Sequence, residues 1–220
     1  MSTMSEPGRG SVPRPSGGIP HQDKTSDHAP LQAGEEIRVW DPVVRIFHWA
    51  LVVAFAAAWG LGKFGPDEMT LHFYAGYTVA ALVVIRIVWG FVGSANARFV
   101  NFVKGPRKIL HYASHFASRE PSNCPGHNPL GALFIVGVLI VLAMQIGTGL
   151  LADPEDYINA GPLAKYVSIE TARQALSWHE PLSTLLLIMV GVHIASIVFY
   201  KLYKHEDLIT PMFTGRKKGL

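Results

Sequence analysis

Cysteine is almost missing from this chain. Cys124 is the only one in 220 residues, so no intramolecular disulfide staples the fold, and no CxxCH motif is present. Charge is scarce as well, at 16% of residues, and the charged residues gather between long apolar runs. The first 34 residues have the opposite deficit. They are rich in Gly, Pro and Ser and contain no apolar run, hence no signal-peptide h-region, and residues 1–35 read as a disordered N-terminal tail. Histidine boxes are also lacking. His111 and His115 stand four apart with no second box beside them, which argues against a histidine-rich di-iron enzyme and leaves them as solvated surface.

Apolar sequence fills the remainder: 49% of residues are hydrophobic. Four runs, about 43–64, 71–92, 130–151 and 179–203, are each long enough to cross a bilayer as a helix. The expected fold is therefore all-α, an integral-membrane up-and-down four-helix bundle over residues 36–218. Asp41-Pro42 and Asn128-Pro129 are helix starts, each an N-cap followed by proline at the first helical position. Thr70 is a candidate cap for the second span, and Gly65-Pro66 a hinge that makes the first two spans antiparallel neighbours. Residues 106–120 alternate apolar and basic side chains at helical spacing and read as a helix on the membrane surface. Residues 152–177, with Asp153, Glu155, Asp156 and Glu170, read as an acidic segment outside the membrane. Of 19 Lys and Arg residues, fourteen lie on the side shared by both termini and the central loop, so that side is cytoplasmic. The basic balance thus reports membrane topology, and no nucleic-acid partner is expected.

Histidine carries the chemistry. His179 and His193 are fourteen residues apart in the fourth span, which puts them on one helix face with a rise of about 21 Å between them. An imidazole inside a bilayer is costly and usually has a partner. In the bundle, His48 lies near the cytoplasmic side, as does His193, whereas His72 and His179 lie near the outside. The four pair by depth, His48 with His193 and His72 with His179, and make two bis-histidine haem sites, one near each membrane face. Without CxxCH the haem is held non-covalently, as b-type haem. Arg45, one turn before His48, and Arg86, fourteen residues after His72, are candidates to pair with haem propionates; for Arg86, snorkelling to the headgroups is an equal reading. His127 is a further candidate for a propionate contact or a quinone pocket. The third span has no histidine or charge; Gln145 and Thr148 are its polar groups, and its glycines allow close packing.

Five segments, VWDPVVRIFHW, LHFYAGYTVAALVVIRIVWGFVGS, ARFVNFVKGP, GHNPLG and the stretch from WHEP to GVHI, resemble the prokaryotic cytochrome b561 family, which includes the b-type cytochrome subunits of nickel-iron hydrogenases. The resemblance implies a four-helix membrane cytochrome b with ligands at His48, His72, His179 and His193. It also implies electron transfer between the quinone pool and a periplasmic-side partner, either a c-type cytochrome or an oxidoreductase subunit. Two alternatives accompany this expectation: a self-sufficient superoxide:quinone oxidoreductase, and a membrane anchor of a hydrogenase-like complex. Expected partners are membrane lipid, quinone and a redox subunit, with homo- and hetero-oligomers both allowed.

Overall fold

The computed structural model describes residues 36–103, 105–115, 126, 128–155 and 158–218. The N-terminal tail, Cys124, Asp156, His127 and residues 116–120 of the proposed surface helix lie outside these residues. Four helices are long and apolar enough to cross a membrane. They are α1 (Pro42–Phe64), α2 (Thr70–Val92), α5 (Pro129–Leu151) and α6 (Ile169–Tyr203). Short elements fill in the order: β1 (Glu36–Arg38), α3 (Phe99–Phe102), α4 (Pro106–Ser114), α7 (Thr210–Thr214) and β2 (Arg216–Lys218).

Local chemistry sets the helix starts. The Asp41 carboxylate accepts from the Val44 N–H at 3.0 Å, and the Asn128 side-chain oxygen accepts from the Gly131 N–H at 2.7 Å, so each satisfies a donor the first helical turn leaves open. Thr70 does not cap α2. It is the first helical residue, Met69 is the cap without a side-chain bond, and the Thr70 hydroxyl donates to Glu68 instead. The fourth helix also departs from expectation, beginning at Ile169, ten residues before His179. Ser168 caps it, accepting from the Thr171 N–H, and Glu170, Ala172, Arg173, Gln174 and Ala175 carry the helix beyond the apolar stretch. At 35 residues it is about 52 Å long against a hydrocarbon core of about 30 Å, so hydropathy marks where the helix meets the membrane rather than where it starts.

The bundle consists of two hairpins. α1 packs on α2, α5 packs on α6, and α2 touches α5 to join them. At the waist, Ala54, Val79, Val83, Leu142 and Leu186 form one buried cluster with a contribution from every span. Outward-facing apolar side chains such as Ile46, 69% exposed, and Val84, 60% exposed, are the lipid-facing surface of a membrane bundle.

Both termini meet at one end. β1 pairs antiparallel with β2, Ile37 opposite Lys217, and the N–H groups of Val39 and Trp40 donate to the Gly215 carbonyl. Gly215 ends α7 in the left-handed region, φ 79°, and a side chain there would run into the Trp40 carbonyl. This C-terminal hook holds the start of α1: the Arg45 guanidinium donates to the Phe213 carbonyl, and the Trp49 ring stacks on Phe213 at 4.6 Å. A buried polar knot lies nearby. Asn128 donates to the Tyr200 hydroxyl, which shares a 2.8 Å hydrogen bond with Tyr112 of α4, and Lys217 pairs with buried Glu206 at 2.6 Å.

Candidate functional site: two histidine pairs

The bundle brings together all four histidines of the expected ligand set, in the expected pairs. At the end carrying the termini, the His48 and His193 rings have centroids 6.3 Å apart and planes at 57°. At the opposite end, where α1 turns into α2, His72 and His179 are 6.1 Å apart with planes at 83°. The waist cluster lies between them: Leu186 is seven residues from each histidine of α6.

Each ring has a definite setting. His72 Nδ1 is 2.8 Å from the Ala58 carbonyl, which can only accept, so Nδ1 carries the proton and Nε2 keeps its lone pair. His179 Nδ1 is 3.0 Å from the Thr148 hydroxyl, and His179 Nε2 is 3.1 Å from the Gln145 amide nitrogen. Glycine makes room for both rings. A Cβ on Gly62 would lie 2.9 Å from His72 Nδ1, and one on Gly149 would lie 2.8 Å from His179 Cε1. At the other end His193 stacks on Phe134 at 6.0 Å, and His48 meets the edge of Trp49 at 5.0 Å. His48 Nδ1 is buried with no hydrogen-bond partner among the described residues, and the same holds for Arg45 Nε.

The donor sets fit haem. An imidazole nitrogen binds a metal at about 2 Å, so two imidazoles on opposite sides of one ion have centroids about 6 Å apart. A bare ion would want three or four protein ligands. Among the described residues no group of three or more His, Cys, Asp or Glu is placed to hold a metal. A macrocycle that brings its own equatorial nitrogens needs only the two axial imidazoles each pair offers.

Arg86 is 4% exposed and lies at the termini end, its guanidinium 5.0 Å above the Phe99 ring and facing the charge of Asp41. Gly90 permits this, since a Cβ there would collide with Phe99. Asp41 in turn accepts from Ser94 Oγ at 2.5 Å and Trp89 Nε1 at 3.2 Å. Burial works to raise its pKa, but the bonds from Ser94, the Val44 N–H and Trp89 outweigh that and hold the carboxyl below its ordinary value. Arg86 thus faces one negative charge supplied by the protein itself.

At the far end two of the acids are paired with nearby bases. Glu155 pairs with Arg173 at 2.5 Å, which lowers the Glu155 pKa, and Glu180 pairs with Lys63 at 3.3 Å. The groups that hold the histidine rings in place, Ala58, Thr148 and Gln145, were the part sequence reasoning missed. Their one signal was the lone pair of polar residues, Gln145 and Thr148, three apart on an otherwise apolar helix.

A membrane-spanning helical bundle with paired intramembrane histidines defines a membrane cytochrome of the b type. The chain belongs to the prokaryotic cytochrome b561 family, whose sequence pattern matches residues 39–215. It is accordingly a multi-pass membrane protein of electron transport that carries haem b. Similar proteins include the probable Ni/Fe-hydrogenase B-type cytochrome subunit of Bradyrhizobium diazoefficiens, 26% identical over 83% of this chain and 86% of that protein. The subunit of the same description from Azotobacter vinelandii is 26% identical over 81% and 87%. The probable Ni/Fe-hydrogenase 1 B-type cytochrome subunit of Escherichia coli K12 is 25% identical over 80% and 88%. No solved structure matches the chain.

Proposed function

We propose that this protein conducts electrons across the membrane through two b-haems, one held by His72 and His179 near the periplasmic face and one by His48 and His193 near the cytoplasmic face. The observation that carries this reading is the pair of ring separations, 6.1 and 6.3 Å, at opposite ends of one bundle. Haem would supply the one-electron redox couple; the protein would supply the imidazole nitrogens of the four histidines, burial and the spacing between sites. The positive-inside pattern supports a cytoplasmic position for the termini end.

The redox partner on the periplasmic side is an oxidoreductase subunit of the hydrogenase kind, as the names of the relatives suggest. A basic c-type cytochrome is less well supported, because Glu155 and Glu180 are already paired with Arg173 and Lys63. Quinone is the partner at the cytoplasmic end. Toward the termini end an apolar groove opens sideways between α1, α2 and the hook, lined by Ile46, Trp49, Ala50, Val53 and Phe213 with Arg45 at its polar end. Such a surface suits a lipid-soluble carrier reaching the site from the bilayer.

The haem-to-protein ratio tests this reading. Purified protein carries two b-haems per chain, and His193→Ala reduces the count to one or fewer, with the His72 and His179 site the survivor. Two haems retained at full occupancy in His193→Ala would remove His193 from the ligand set.

A further inference from the structure

We infer that Thr148 is a positioning residue that, with the Ala58 carbonyl, makes the His72 and His179 site the more reducing of the two. This rests on the reading of both pairs as haem sites. The Thr148 hydroxyl is 2.9 Å from the carbonyls of both Met144 and Gln145, so its own proton is directed back into the helix. Its oxygen is left to accept, and the only donor it meets at His179 is Nδ1–H, at 3.0 Å. That fixes the tautomer with the lone pair on Nε2, and the Gln145 amide 3.1 Å away marks where the lone pair points. His72 is fixed in the same way by Ala58.

A histidine that gives its Nδ1 proton to an acceptor becomes a more basic ligand through Nε2, and a more basic ligand favours the oxidised metal. Both histidines of this site have such an acceptor. At the other site His48 Nδ1 has none among the described residues. Charge acts in the same direction. Arg45 is one turn from His48, about 4.5 Å along the axis, and Arg86 lies at the same end. Asp41 offsets part of the Arg86 charge, while Arg45 directs its hydrogen bond to the neutral Phe213 carbonyl. Positive charge favours the reduced site. Electrons delivered at the Thr148 end therefore run downhill toward the His48 end, a direction that residue pattern alone does not give.

Redox titration of the purified, haem-loaded protein tests this, with the parent, Thr148→Val and Thr148→Ser compared. The parent gives two one-electron waves. Thr148→Val, which keeps the shape and removes the acceptor, moves the more negative wave upward by as much as tenfold in the reduced-to-oxidised ratio, about 59 mV, and leaves the other in place. Thr148→Ser keeps the acceptor and stays with the parent. Movement of the more positive wave, no movement with both haems retained, or an equal shift in the serine variant overturns the inference. Should the valine variant lose haem, Arg45→Gln supplies the second arm: the more positive wave moves downward, and a wave that stays or rises overturns the assignment. A parent that binds fewer than two haems overturns the underlying two-haem reading instead, and the haem count separates the two failures.

Discussion

Glycine does as much for the His72 and His179 pair as any polar group. Gly149 and Gly62 lie against the His179 and His72 rings so closely that a single methyl would come within 2.8 and 2.9 Å of ring atoms. Neither ring can back away without losing its Nδ1 acceptor, Thr148 in one case and Ala58 in the other. Gly149→Ala is expected to lower the haem count from about two to about one while leaving helical content, read by circular dichroism, unchanged. A full haem count would show that the ring tolerates displacement. By contrast, a methyl added at Gly147, two residues before Gly149, would meet nothing within 4 Å, which makes Gly147→Ala a matched control.

At the scale of elements, the termini end is tied by a few specific contacts. Asp41 caps α1 and also accepts from Trp89 and Ser94 at the end of α2, so one carboxylate clips two spans together two turns from His48. Removing an N-cap of this kind costs about 0.5–2 kcal/mol. Asp41→Ala is expected to lower the thermal midpoint of the detergent-solubilised protein. The native carboxyl pKa is depressed, so its contribution is complete above the ordinary carboxylate range and is lost as pH falls through the lowered native value. The difference between wild type and Asp41→Ala should shrink over that acid window, and a difference independent of pH would contradict it.

The spans, two of the caps and the pairing of the four histidines were legible in the sequence. Hydropathy and helical periodicity are local, and fourteen residues between His179 and His193 fix both face and depth. The hook was not legible, because residues 36–38 pair with 216–218 through backbone hydrogen bonds that leave no pattern in either short segment. The true start of α6 was hidden for a different reason: polar helix formers such as Glu170 and Gln174 continue a helix without continuing its hydropathy. The Asp41 charge that Arg86 faces stands 45 positions away in sequence, which spacing along one helix does not reveal.

For the whole molecule, the distribution of packing matches the proposed task. The waist is closed by Ala54, Val79, Val83, Leu142 and Leu186, whereas the histidine rings sit toward the ends, where Gly62 and Gly149 make room for the rings of His72 and His179. An apolar waist blocks ions and water, and the two proposed haem sites, about 21 Å apart along α6, would leave electrons a path across it. Electron transfer through the bilayer is therefore the central claim. The direct measurement uses purified protein reconstituted into quinone-free sealed vesicles loaded with ferricyanide, with dithionite added outside. Internal ferricyanide is expected to be reduced only when haem-loaded protein is present, and His193→Ala or His72→Ala is expected to abolish the reaction. No reduction by the fully loaded wild type, or undiminished reduction by either variant, would contradict it.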